Sequence, residues 1–208
     1  MNSKEIKIGT ITEWLAEDLK VANRIIEKNI NVNIDYNWFD DEIDYFIETS
    51  EKLGFDIDKD KVNFSGFHSQ GDGASFEAYI NILIYLKATK QLTKYRSLVN
   101  AINSGKVEDC TLVSRNSHFY SHEKTCSVNS IEVYDDISDK VSELLKDLEE
   151  ELEEKREDLC VELYRNLENY YEYLRSRECI IYTLSSNEYE FDENSFETMV
   201  GRWEIETK

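Results

Sequence analysis

The sequence predicts an α+β protein: a small antiparallel sheet packed by helices, with a long acidic helix or helical hairpin near the C-terminus. Three observations predict it. The 208 residues contain no proline and only seven glycines, against an average proline usage of about 5%, which favours long helices and few irregular linkers. Apolar residues recur at helical spacing in several long stretches. Between residues 61 and 133, short strand-like runs bounded by turn residues take over.

The elements follow in order. Residues 10–29 read as one helix, with Thr10 or Thr12 as cap and Trp14, Leu15, Leu19, Ala22, Ile25 and Ile26 at helical spacing. Residues 38–53 read as a second helix, closed by Gly54. A strand is expected over 61–67, a strand passing into a helix over 76–104 with Gly105 as its stop, and a β-hairpin within 107–133. From 137 to 178 the chain is helical by every local measure, with Val141, Leu145, Leu148, Leu152, Leu159, Leu163 and Leu167 in one stripe. The stripe slips between Leu152 and Leu159, so a break or hairpin near Glu153–Glu157 is expected, with a projecting arm or a dimeric coiled coil as alternatives. A short helix over 178–185 and a strand-like YEFDE close the chain. This gives three segments: an α+β core over 1–134, an acidic helical segment over 135–185 and a C-terminal strand or tail over 186–208.

Composition bounds function. No apolar run approaches the roughly 18 residues that span a bilayer. The opening MNSKEIKIGTITEW lacks the apolar stretch of a secretory signal. The four cysteines, Cys110, Cys126, Cys160 and Cys179, form no C-x-x-C pair and are expected as free thiols in a cytosol. The net charge is −20, with 44 acids against 24 bases, which opposes direct binding to nucleic acid and favours a basic protein partner. Residues 135–158 carry twelve acids and four bases. Residues 80–106 carry five bases and no acid. This basic face would dock on an acidic helix of the same molecule, or line a groove for a nucleotide.

The densest polar stretch is FSGFHSQGDGASF, residues 64–76, which holds three of the seven glycines. Two readings stand. In the first, Ser69, Gln70, Gly71 and Gly73 form a ligand loop, with backbone N–H groups offered to an anion and Asp72 as base or cation ligand. In the second, the stretch is a strand–turn–strand element. It resembles a motif, Phe-Ser-Gly-Phe-x-Ser-Gln-Gly-Asp-Gly-Ala, of a family of uncharacterised tailed-bacteriophage proteins, sometimes labelled antitoxin-like. SRNSHFYSH and SSNEYEFDE are weaker echoes of the same family. The resemblance implies a phage accessory protein made in the cytoplasm of a bacterial host, and it carries no chemistry.

Three classes of function follow. The first is a non-catalytic acidic inhibitor of a basic, nucleic-acid-handling defence protein of the host, of anti-CRISPR or anti-restriction type. Its contact would be the carboxylate run Glu149, Glu150, Glu151, Glu153 and Glu154, expected on the outer side of the long helix, and no cofactor is needed. The second is a metal-assisted hydrolase acting on a nucleotide or nucleic acid, built from His68, Asp72, His118, Tyr120 and His122. These would converge if a strand carrying 118, 120 and 122 paired with 61–67. The third is an antitoxin-like module that dimerises through 137–178.

Overall fold

The structure, a computed structural model, describes residues 6–35, 37–116, 119–194 and 196. In chain order the elements are β1 (Ile8–Thr10), α1 (Ile11–Glu17), α2 (Leu19–Lys28), α3 (Asp40–Glu51), β2 (Phe55–Ile57), β3 (Asn63–Ser65), β4 (Gly73–Ser75), β5 (Ala78–Asn81), α4 (Ile82–Ala88), α5 (Arg96–Asn103), β6 (Cys110–Arg115), β7 (Cys126–Val128), α6 (Asp139–Leu174), α7 (Arg177–Ser186) and β8 (Glu190–Asp192). Single 3₁₀ turns lie at Lys59–Lys61 and Glu123–Thr125. This is the α+β class expected: helices with small antiparallel sheets. The chain divides into two compact units. One joins the residues up to Trp38 to those from Asn169 on, and the other is Phe39–Glu168.

In the first unit, β1 and β8 pair antiparallel, with Gly9 opposite Phe191. The helix expected over 10–29 is two helices. Asp18 leaves the helical region at φ −144°, and its carboxylate accepts from the N–H groups of Lys20 and Val21 to start α2. An aspartate two or three residues before free N–H groups favours such a cap over helix continuation. Thr10 and Glu13 form a capping box on α1. The core is Ile11, Trp14, Ala22, Ile25, Ile26, Ile180, Leu184 and Phe191. The Trp14 indole donates to the Phe191 carbonyl at 3.2 Å, which satisfies the one polar atom of a buried ring. Asn33 donates to the Leu174 carbonyl at 2.8 Å and accepts from Thr183 at 2.6 Å.

In the second unit, a four-stranded antiparallel sheet has the order β2-β5-β6-β7. Side chains alternate across it. Phe55, Ile57, Ala78, Ile80, Thr111 and Val113 are buried on one face. Phe46 of α3 and Phe55 both meet Phe76, with ring centroids at 5.7 and 6.5 Å. The strand expected over 61–67 is present as β3, but it pairs with β4 in a separate two-stranded ladder. The sheet takes Phe55–Ile57 at its edge instead. Gly54, at φ +88°, turns the chain out of the helical segment into that strand. A Cβ there would also lie 2.8 Å from the Asn81 carbonyl oxygen. Asp58 then caps the 3₁₀ turn that leads away.

The strand expected to pass into a helix over 76–104 is present as β5, but the helix that follows is two, α4 and α5. Asn81 accepts from the Ile84 N–H at 2.9 Å and starts α4. Lys90, at φ +60°, ends the turn that follows it. Gly105 at φ +74° closes α5 as expected.

α6 has no break at Glu153–Glu157. It is a single helix of 36 residues, about 54 Å long at 1.5 Å per residue. The gap in the apolar stripe between Leu152 and Leu159 is filled by Arg156, whose side chain is buried. Its guanidinium donates to Glu153 at 2.6 Å, to Glu157 at 3.2 Å and to the Glu123 carbonyl. With both terminal nitrogens paired in this way, though its Nε has no partner among the described residues, an arginine occupies a core position that hydropathy reads as a break. The helix ends at Leu174, and Ser176 caps α7.

Candidate functional site

The glycine-rich stretch is a built turn. Oδ2 of Asp72 accepts from the N–H groups of His68 at 2.9 Å and Ser69 at 2.6 Å. The Asp72 N–H returns to the Ser69 carbonyl. One of the two Asp72 carboxylate oxygens is thus engaged by the chain's own backbone. Gly71 sits at φ +95°. Gly73 is needed for a different reason: a Cβ there would lie 2.6 Å from Cβ and 2.7 Å from Cα of His122. His68, Ser69, Gln70 and Gly71 are exposed.

The loop does meet the 119–122 segment, but as a loop against a loop. Gly73 packs under Ser121 and His122, and a Cβ on Gly71 would lie 3.8 Å from the Tyr120 ring. Residues 120–122 are not a strand. His122 caps the turn Glu123–Thr125, where its Nδ1 accepts from the Lys124 N–H at 3.2 Å. Its ring centroid is 6.4 Å from that of Tyr120. His118 lies outside the described residues. Among the described residues, the group whose ligand atoms gather within 4.8 Å is Glu108, Asp109 and Cys110, with no histidine.

The carboxylate run on α6 does not lie wholly on its outer side. Glu149 accepts from the Ile131 N–H at 2.8 Å, and Glu153 accepts from the Val128 N–H at 2.7 Å. β7 is an edge strand of the sheet; of these two carboxylates, one helical turn apart, Glu153 takes an N–H of that strand and Glu149 one from the chain just beyond it. Glu151 accepts from the Tyr95 hydroxyl at 2.8 Å and pairs with Lys94. Burial pushes the Glu151 carboxyl up, but the hydrogen bonds from Lys94, Tyr95 and Gln91 outweigh it and hold it below the usual glutamate range. One base of the 80–106 face therefore docks on the acidic helix of the same unit. Glu150 and Glu154 remain exposed, and with Glu143, Asp147 and Asp158 they form an outer ridge at helical spacing.

The sheet itself offers a surface that the sequence did not single out. On the face opposite the core, Asp56, Tyr79 and Leu112 stand side by side across three strands. Tyr79 is 61% exposed and Leu112 38%. Two shallow depressions meet at this pair. One is bordered by Asp56, Asp58 and Glu77, the other by Glu108, Glu132 and Tyr134. Lys61 is the base beside the first, 3.5 Å from Glu77. The Tyr134 hydroxyl bonds to Glu108 and holds that carboxyl below its usual range. Burial and the Glu108 charge push the Cys110 thiol up. The alternation in AYIN and CTLV carries the signal for this face, since residues that alternate with buried ones must emerge on the other side.

A family model described as a domain of unknown function, DUF8835, matches residues 38–177. The chain belongs to the DUF8835 family. The match spans the second unit, and with it the sheet, the glycine-rich turn and the acidic residues of α6 named above. Comparison with curated proteins and with solved structures gives no match.

Proposed function

We propose that the protein is a non-catalytic binding protein that takes a basic segment of a nucleic-acid-handling partner on the open face of its sheet, as a phage-encoded inhibitor of a host defence protein would. The observation that carries this reading is the exposed pair Tyr79 and Leu112, bordered by Asp56, Asp58, Glu77, Glu108 and Glu132. An exposed apolar centre with a polar rim is the anatomy of a protein contact. A tyrosine ring takes a lysine or arginine on its face, and the carboxylates around it set the sign of the partner. The outer ridge of α6 and the charge of −20 add long-range attraction, which raises association rate more than affinity.

The test is affinity capture from a bacterial lysate at low and high salt, with the bound proteins identified, using the wild type and Tyr79→Ala/Leu112→Ser. The reading expects a basic nucleic-acid-handling protein that is lost at high salt and lost from the variant. Equal capture by the variant moves the contact elsewhere. Captured proteins with no excess of basic character contradict the reading itself.

A further inference from the structure

Two cysteines far apart in sequence meet inside the second unit. Cys126 begins β7, and Cys160 lies on the buried side of α6, 34 residues later. Their sulfurs are 3.7 Å apart, a hydrogen-bonded contact between free thiols. The guanidinium of Arg156, one turn before Cys160, lies 3.7 Å from the Cys126 sulfur and 3.9 Å from the Cys160 sulfur. Glu153 and Glu157 flank that guanidinium from the solvent side. A cation held against two thiols stabilises a thiolate, the form of cysteine that reacts with oxidants. Cys126 and Cys160 are both buried, so an oxidant reaches them only through local opening, whereas Cys110 and Cys179 are half-buried and lack the guanidinium: Cys110 lies beside Glu108, and Cys179 accepts from Asn33.

We propose that Cys126 and Cys160 are a redox-active dithiol, which a peroxide closes to a disulfide that ties α6 to the edge strand of the sheet. With Cys160 as the donor, the hydrogen bond between the sulfurs, aided by Arg156, outweighs burial and lowers the Cys126 thiol. Cys160, as the donor, is pushed up. Cys126 is therefore the attacking sulfur and Cys160 the resolving one. The Cys126 thiolate attacks one peroxide oxygen and the O–O bond breaks. Sulfenic acid forms on Cys126, and hydroxide leaves to become water with the thiol's proton. The Cys160 sulfur then attacks the Cys126 sulfur, the S–O bond breaks, and a second water leaves with the Cys160 proton. Two thiols lose two electrons and two protons, and one hydrogen peroxide becomes two waters. The sulfurs close from 3.7 Å to the roughly 2.05 Å of a disulfide.

The full chain is treated with hydrogen peroxide, alkylated under denaturing conditions and digested without reductant. The expected result is a loss of about 2 Da from the intact protein weighed before alkylation, the mass of two hydrogens, and in the digest a peptide pair joining Cys126 to Cys160, both reversed by dithiothreitol. The melting temperature of the oxidised protein should rise, and Cys160→Ser should abolish that rise. The wild-type peptide map decides the matter even if the variant does not fold. Full alkylation of Cys126 and Cys160 after peroxide, their conversion to sulfinic acid without cross-link, or a disulfide through Cys110 or Cys179 would each overturn the proposal.

Discussion

Gly73 shows how a residue's role changes once its neighbours are known. The sequence marks it as special because glycine is scarce, and offers a ligand loop or a strand–turn–strand element as the reason. In the structure the reason is contact: the backbone of Ser121 and His122 lies where a side chain would stand. Gly73→Ala should therefore destabilise the protein by about 1–3 kcal/mol, the usual range for overpacking. A melting temperature equal to the wild type would contradict the contact. Gly71 differs, since a Cβ there meets only the Tyr120 ring at 3.8 Å. The loss in Gly71→Ala comes from its φ of +95°, about 1 kcal/mol. The glycines were legible in the sequence as a constraint. The partner of Gly73 was not, because nothing in GDGAS points to residues 121–122.

At the scale of the element, α6 was legible in extent and charge but not in its continuity or in the division of its acids. Its apolar stripe includes one arginine, and only the partners of Arg156 explain how a cation fills a core position. The five carboxylates between 149 and 154 are alike in composition, and facing separates them. Glu153→Ala should cost about 1–3 kcal/mol, because it leaves the Val128 N–H without its acceptor and takes from the buried Arg156 one of its oxygen partners. Glu154→Ala should stay within about 0.5 kcal/mol of wild type. Urea unfolding of the two variants checks both. Glu151 adds a pH dependence. Its folded pKa lies below the unfolded value, so it contributes stability above the ordinary glutamate range, and that stability is lost as pH falls through the folded value. Glu151→Gln should therefore flatten the loss of stability below about pH 4.3. An unchanged acid limb would show that the Lys94–Tyr95–Glu151 contacts do not hold in solution.

At the scale of the whole molecule, the fold class was legible from the absence of proline and the change of periodicity near residue 61. The pairing of the two ends of the chain into one unit was not, because no change of composition marks Trp38 or Glu168 as a boundary. The candidate surface was half legible. Net charge favours a basic partner, but the acids of the sheet face come from the 56–58, 77, 108 and 132 regions, which are far apart in sequence and meet only through strand pairing. If the open face is the working surface, loss of its apolar centre should remove binding while loss of outer α6 charge should only slow it. The most direct measurement is the association and dissociation rate of the captured basic partner with wild type, Tyr79→Ala/Leu112→Ser and Glu150→Lys/Glu154→Lys, each shown by its melting temperature to be folded. The account predicts faster dissociation and a large loss of affinity for the sheet-face variant, and slower association with near-normal dissociation for the α6 variant. Wild-type affinity in the sheet-face variant, with binding abolished by the α6 reversal, would contradict it.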